Sequence, residues 1–194
     1  MSVVDIAIET PLGRITVRLD EEHAPGTVAN YLRYVDGGLY DGGRFHRTVR
    51  LDNQSNANLR TEAADQGIAE SSGGDLPNDS IAIEVIQGGI NLARKDELGG
   101  GIPLERTSQT GLKHRDGTIS MARRTADSAV SDFFICINDQ PDLDFGGQRN
   151  VDGQGFAAFG QVVNGMDVVR AIQSAPSEGQ SIEPPVPIHR IVRS

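Results

Sequence analysis

Cysteine occurs once in the 194 residues, as Cys136, so no intramolecular disulfide can form. Its neighbours in Phe133-Phe134-Ile135-Cys136-Ile137 are apolar and hold nothing that would lower a thiol pKa, which marks a buried structural thiol rather than a nucleophile. Long apolar runs are also missing: no stretch approaches the ~20 residues a membrane span requires. Met1 to Asp5 lacks both the basic and the apolar region of a signal peptide. As written, the chain therefore reads as cytoplasmic; a leader already removed would leave a periplasmic or secreted location open. Positive charge is scarce. Eighteen Lys and Arg against 27 Asp and Glu leave a net charge of −9, which repels phosphate backbones and anionic membranes, so neither nucleic acid nor a membrane is expected as a partner. His23, His46, His114 and His189 show no metal-ligand spacing, and no metal is expected.

What is present suits one globular domain over residues 1–194: 37% of residues are hydrophobic and 23% charged. Val4, Ile6 and Ile8 alternate with Asp5, Ala7 and Glu9, and Ile15, Val17 and Leu19 alternate with Thr16 and Arg18, with Pro11-Leu12-Gly13 between them. Period-two alternation across a turn predicts a β-hairpin with one buried face. Ala24-Pro25-Gly26-Thr27 opens a helix on which Val28, Tyr31, Leu32 and Val35 share a face, and Gly37-Gly38 stops it. Further strands are expected at Ile81–Ile86, Gly117–Ala122, Phe133–Ile137, Phe156–Gly160 and Ile188–Val192. A second helix is expected around Met166, Val169 and Ile172, with Asn164 as its cap. Residues 48–83 break this rhythm with Asn, Gln, Ser, Asp and Gly, and read as a long surface loop. Many short strands, Gly-rich turns and two helices point to a barrel or sandwich.

Phe45-His46-Arg47, Gln87-Gly88-Gly89, Ser120-Met121-Ala122-Arg123, Phe133-Phe134-Ile135 and Phe159-Gly160-Gln161-Val162-Val163 follow one another in the order that cyclophilins use. With the opening hairpin and the Ala24–Asn30 helix start, the chain resembles a cyclophilin-type peptidyl-prolyl cis-trans isomerase. It is most similar to bacterial members through Thr110-Gly111-Leu112-Lys113-His114 and Gly165-Met166-Asp167-Val168-Val169. The resemblance implies a closed eight-stranded antiparallel barrel capped by two short helices, with the substrate groove on its outer face. It implies rotation of X-Pro bonds in flexible or unfolded protein segments, without cofactor or metal, by what is expected to be a monomer.

The resemblance also assigns roles. Arg47 would be the catalytic donor to the prolyl nitrogen, and Gln87 would hold that arginine and bind substrate backbone. Phe134, Leu143, Phe156, Ala122 and Val85 would line the proline pocket, with Arg123 at a backbone-binding position. Three departures stand against it. Glu84 occupies the place of a phenylalanine pocket floor, where an ionised carboxylate is costly unless paired; either Glu84 faces elsewhere, with Ile83 or Val85 as the floor, or the pocket is altered. Asp132 replaces a second glutamine, and Asp142 stands where larger members place a tryptophan, which implies weak cyclosporin binding at most. The insertion at 48–83 enters between Arg47 and Gln87, and a lid, a partner-binding arm and a solvated excursion all fit its composition. The alternative to an active isomerase is a catalytically weakened cyclophilin-like module that binds proline-containing peptides or a protein partner. Adjacent strand residues point to opposite faces, which predicts that His46 lies away from Arg47 in a structural role.

Overall fold

In a computed structural model, residues 3–54 and 81–194 are described. Ten strands among them form one antiparallel sheet: β1 (Val3–Thr10), β2 (Gly13–Asp20), β3 (Gly43–Val49), β4 (Val85–Gly89), β5 (Thr118–Met121), β6 (Phe133–Cys136), β7 (Ala158–Asn164), β8 (Ser177–Glu178), β9 (Ser181–Ile188) and β10 (Arg190–Arg193). Their order is β10-β1-β2-β7-β5-β6-β4-β3-β9-β8. The helices are α1 (Pro25–Asp36), the single turn α2 (Thr107–Thr110) and α3 (Met166–Gln173).

The expected closed eight-stranded barrel is corrected on two points. Among the described residues no ladder joins the two ends of the sheet, and the strands number ten rather than eight, three of them after α3. The chain breaks step at His189: β9 pairs with β3, and β10 crosses over to pair with β1. β9 escapes a reading from sequence because Pro184, Pro185 and Pro187 remove three ladder donors, which normally argues against a strand. One contiguous core nevertheless takes residues from most of the sheet, among them Ile6, Ile15, Phe45, Ile86, Phe133, Phe159, Ile182 and Ile191, so the sheet wraps around its own apolar face.

The opening hairpin and α1 form where the alternation places them, and Val28, Tyr31, Leu32 and Val35 are all buried. Ala24 gives α1 no side-chain cap. The Glu105 carboxylate supplies it instead, accepting the Thr27 N–H at 2.6 Å and the Gly26 N–H at 3.3 Å, and it complements the positive end of the helix. Asn164 does not cap α3 as expected: it ends β7, and Gly165 at φ 100° makes the corner. A Cβ at Gly165 would stand 2.5 Å from the Arg14 carbonyl oxygen, so both backbone conformation and space demand glycine. The strand expected at Ile81–Ile86 begins later and runs through Gln87-Gly88-Gly89 to its end. Likewise Thr48 and Val49, taken as the start of the long loop, complete β3. Residues 55–80 of that loop lie outside the described residues, and its base is tied: Gln54 exchanges hydrogen bonds with the Ile83 main chain at 2.7 and 3.0 Å.

Candidate active site

Register decides which side chains share the outer face. Arg47 pairs with Gln87 across β3 and β4, Gln87 with Phe134 across β4 and β6, and Phe134 with Ser120 across β6 and β5. Directly opposed residues present their side chains on the same face. Arg47, Gln87 and Phe134 therefore form one row, back to back with core residues Phe45, Ile86, Phe133 and Ile135.

Along the neighbouring row an apolar cluster stands apart from the main core: Val49, Ile83, Val85, Phe134, Cys136 and Leu143, with Ala122 and Phe156 packed against it. All five apolar side chains expected to form a pocket meet here. The Phe134 and Phe156 rings stand 5.5 Å apart at 88°, and the Phe156 N–H donates to the Leu143 carbonyl, which returns the loop after β6 to the pocket. Burial pushes the Cys136 thiol well above its ordinary pKa, as expected of a structural cysteine.

Glu84 is not in this pocket. Alternation turns it to the other face of the chain, where its carboxylate accepts from Asn138 Nδ2 at 3.1 Å and from Gln173 Nε2 of α3 at 3.3 Å. Ile83 and Val85, on either side of it, supply the apolar wall. Arg123 also departs from expectation, since its side chain is only 1% exposed. Its guanidinium donates to the Gly155 carbonyl and pairs with Asp152, and it lies 4.9 Å from the Phe156 ring centroid, so it supports a pocket wall from behind. The residue is nonetheless partly exposed, and that exposure belongs to its main chain.

The polar half of the row is a chain of hydrogen bonds. Arg47 Nη1 donates to Gln87 Oε1 at 3.1 Å, while its Nε and Nη2 both donate to Gln180 Oε1 at 2.9 and 2.7 Å. Gln87 Nε2 donates to Asp132 Oδ2 at 3.1 Å, and His46 Nε2 lies 3.2 Å from the same oxygen. The separation of His46 from Arg47 predicted by alternation fails for a definite reason. β3 carries a bulge between Phe45 and Arg47 against both of its neighbours, and the extra residue puts His46 and Arg47 on the same side.

Two contributors escape a reading from sequence. Gln180 lies 133 positions from Arg47 and is 1% exposed; its carbonyl accepts from the Thr48 N–H, which fixes the turn before β9 beside the arginine. His114 is fully buried behind Phe134, with the two rings stacked 6.0 Å apart at 15°. Its Nδ1 bonds Asp144 at 2.8 Å and its Nε2 bonds Ser120 Oγ at 2.9 Å. A carboxylate only accepts, so Nδ1 carries the hydrogen and Nε2 accepts from the serine. Burial lowers the His114 pKa against the opposing pull of Asp144. The only sequence signal for it was its place in Thr110–His114, a stretch to which no role was attached.

An arginine and a glutamine in register beside a largely buried aromatic and aliphatic cluster, on a curled antiparallel sheet, bring polar donors and apolar side chains together on one face. Comparison with known proteins agrees. Residues 3–193 match the model for the family described as cyclophilin type peptidyl-prolyl cis-trans isomerase/CLD, and the chain belongs to that family. It is 31% identical to peptidyl-prolyl cis-trans isomerase A of Dickeya dadantii, over 96% of this chain and 80% of that protein. It is 29% identical to peptidyl-prolyl cis-trans isomerase B of Escherichia coli, over 96% and 94% of the two chains. Among solved structures, a cyclophilin type peptidyl-prolyl cis-trans isomerase of Cryptosporidium parvum, crystallised in the presence of the dipeptide ala-pro, superposes with a TM-score of 0.68 at 20% identity, over 98% of each chain.

Proposed function

We propose that this peptidyl-prolyl cis-trans isomerase works through the Arg47–Gln87–Phe134 row, on proline-containing segments laid across β3, β4 and β6. The observation that supports the reading is the register, which sets a charged donor beside an apolar cluster on one face.

Rotation about an X-Pro bond must break amide resonance, and an ordinary peptide bond resists with a barrier of ~18–20 kcal/mol. No covalent bond is made or broken, so no nucleophile is required. As resonance is lost the prolyl nitrogen gains lone-pair character, and a donor aimed at it stabilises the twisted state more than either planar one. Arg47 is permanently charged and offers N–H groups in a fixed plane. Gln180 and Gln87 hold that plane from two sides, so little reorganisation is left for the moment of reaction. One such donor in a water-poor site is worth roughly 3–4 kcal/mol, or two to three powers of ten in rate. Phe134, Phe156, Leu143, Val85 and Ile83 would receive the pyrrolidine ring and exclude water. The partly exposed main chain at Arg123 would be available to substrate backbone.

With Glu84 turned toward α3, one of the two features that favoured a weakened binding module loses its basis; the other, the insertion at 48–83, lies for the most part outside the described residues. Asp142, in the place of a tryptophan, accepts the Gln148 N–H on a loop surface and offers no ring, so cyclosporin should bind weakly. The test is relaxation of an Ala-Pro peptide with the wild type and with Arg47→Ala. A fall of about a hundredfold or more in kcat/KM is expected; equal rates would remove Arg47 from the mechanism. Acceleration lost with peptide binding retained in the wild type would restore the module.

A further inference from the structure

The Arg47–Gln87 pair ends on Asp132, and the chemistry of that terminus fixes more than its own contact. A primary amide can be turned over, exchanging its donor and acceptor ends at little intrinsic cost. Gln87 lacks that freedom here. A carboxylate has no hydrogen to give, so Gln87 can meet Asp132 only through Nε2, and Oε1 is left for Arg47. In the reversed amide an oxygen would face a carboxylate and an NH2 would face a guanidinium, and both contacts would repel. The same reasoning requires His46 Nε2 to carry a hydrogen toward Asp132 Oδ2.

Two backbone features exist at the right places to seat this carboxylate. Gly89 lies under it: a Cβ at position 89 would stand 2.2 Å from Asp132 Oδ1, so Asp132 uses space that any other residue would fill. The β3 bulge brings His46 round to the other oxygen, Oδ2. Asp132 also keeps its backbone role, its carbonyl accepting the Ala122 N–H at 2.9 Å, so the side chain springs from a fixed point.

We propose that Asp132 is a positioning residue: seated over Gly89, its carboxylate sets the orientation of the Gln87 amide and, through it, of the Arg47 guanidinium. The inference rests on the reading of Arg47 and Gln87 given above. Its test combines peptide isomerisation kinetics with NMR of two side-chain signals, the Gln87 Nε2 amide pair and the Arg47 Nε–H, in the intact chain. Asp132→Ala removes the acceptor, and Gly89→Ala displaces it without removing it. Both are expected to shift both signals and to lower kcat about tenfold with KM changed less than about twofold. Asp132→Asn still presents an oxygen to Gln87 and should return kcat to within about threefold of wild type. In a Gln87→Ala background, Asp132→Ala should add less than about a twofold effect, because its action passes through Gln87. Unchanged signals in both displaced variants, or the full tenfold loss in the Gln87→Ala background, would overturn the proposal. Should the wild type fail to accelerate isomerisation, the functional reading falls, and the two signals still decide whether Asp132 orients Gln87 and Arg47.

Discussion

Gln180 offers a direct probe of how the arginine is held. Replacing it by leucine keeps the volume of a side chain that is 1% exposed and removes the oxygen that accepts from Arg47 Nε and Nη2 at 2.9 and 2.7 Å. Hydrogen bonds to a charged group contribute about 1.5–3 kcal/mol. Arg47 is only half-buried, so water can recover part of this, and the expected loss of stability is about 1–2 kcal/mol. Turnover should suffer comparably: without the Gln180 oxygen the guanidinium loses the two hydrogen bonds that fix its Nε–Nη2 edge, and a loss of about 1.4–2 kcal/mol in the twisted state corresponds to ten- to thirtyfold in kcat. KM should move little, because the apolar wall that grips the ring is untouched. Gln180→Glu keeps an acceptor at the same place and should recover most of the rate. Urea unfolding gives the stability, and NMR exchange on an Ala-Pro peptide gives the rate. A folded Gln180→Leu protein with wild-type kcat would refute the view that this glutamine orients the arginine.

Other expectations follow from the same geometry. Glu84→Gln should leave kcat/KM within about twofold of wild type, since its partners Asn138 and Gln173 are amides that can bond either residue; a large loss would return Glu84 to the pocket. The lowered pKa of His114 means that the folded chain keeps it neutral where the unfolded chain binds a proton near pH 6.5. Its contribution is therefore present above about pH 6.5 and is lost as the pH falls below it. At Asp144 burial pulls the pKa up, but the bonds from His114 together leave it lowered, so Asp144 holds its own contribution to lower pH, until its carboxylate protonates. The wild type should lose more stability between pH 7.5 and 5.5 than His114→Gln, and parallel unfolding curves would contradict this. The Tyr31 hydroxyl is buried without a hydrogen-bond partner among the described residues, while its ring packs against Tyr40, Phe133 and Phe159. Tyr31→Phe keeps the ring and removes an unsatisfied group, so a gain of about 1–3 kcal/mol is expected; a lower urea midpoint would show that the hydroxyl is satisfied after all.

Local pattern was enough for much of this protein. Alternation in residues 4–19 determined the opening hairpin, and helical spacing from Val28 to Val35 determined the buried face of α1, because both periods are properties of the backbone and need no distant partner. Five short motifs in order were enough to indicate the family and to name Arg47, Gln87 and Phe134. Only the tertiary structure decided the rest. Whether Glu84 enters the pocket turned on strand phase, and that phase was set by pairing with β6. The position of His46 turned on a bulge that its own sequence does not announce. The cap of α1 comes from Glu105 and the anchor of Arg47 from Gln180, 78 and 133 positions away. Such contacts leave no mark on local periodicity, because they depend on which strands lie side by side. That sheet order, including the way the C-terminal segment splits at His189 to serve β3 and then β1, is a property of the whole fold.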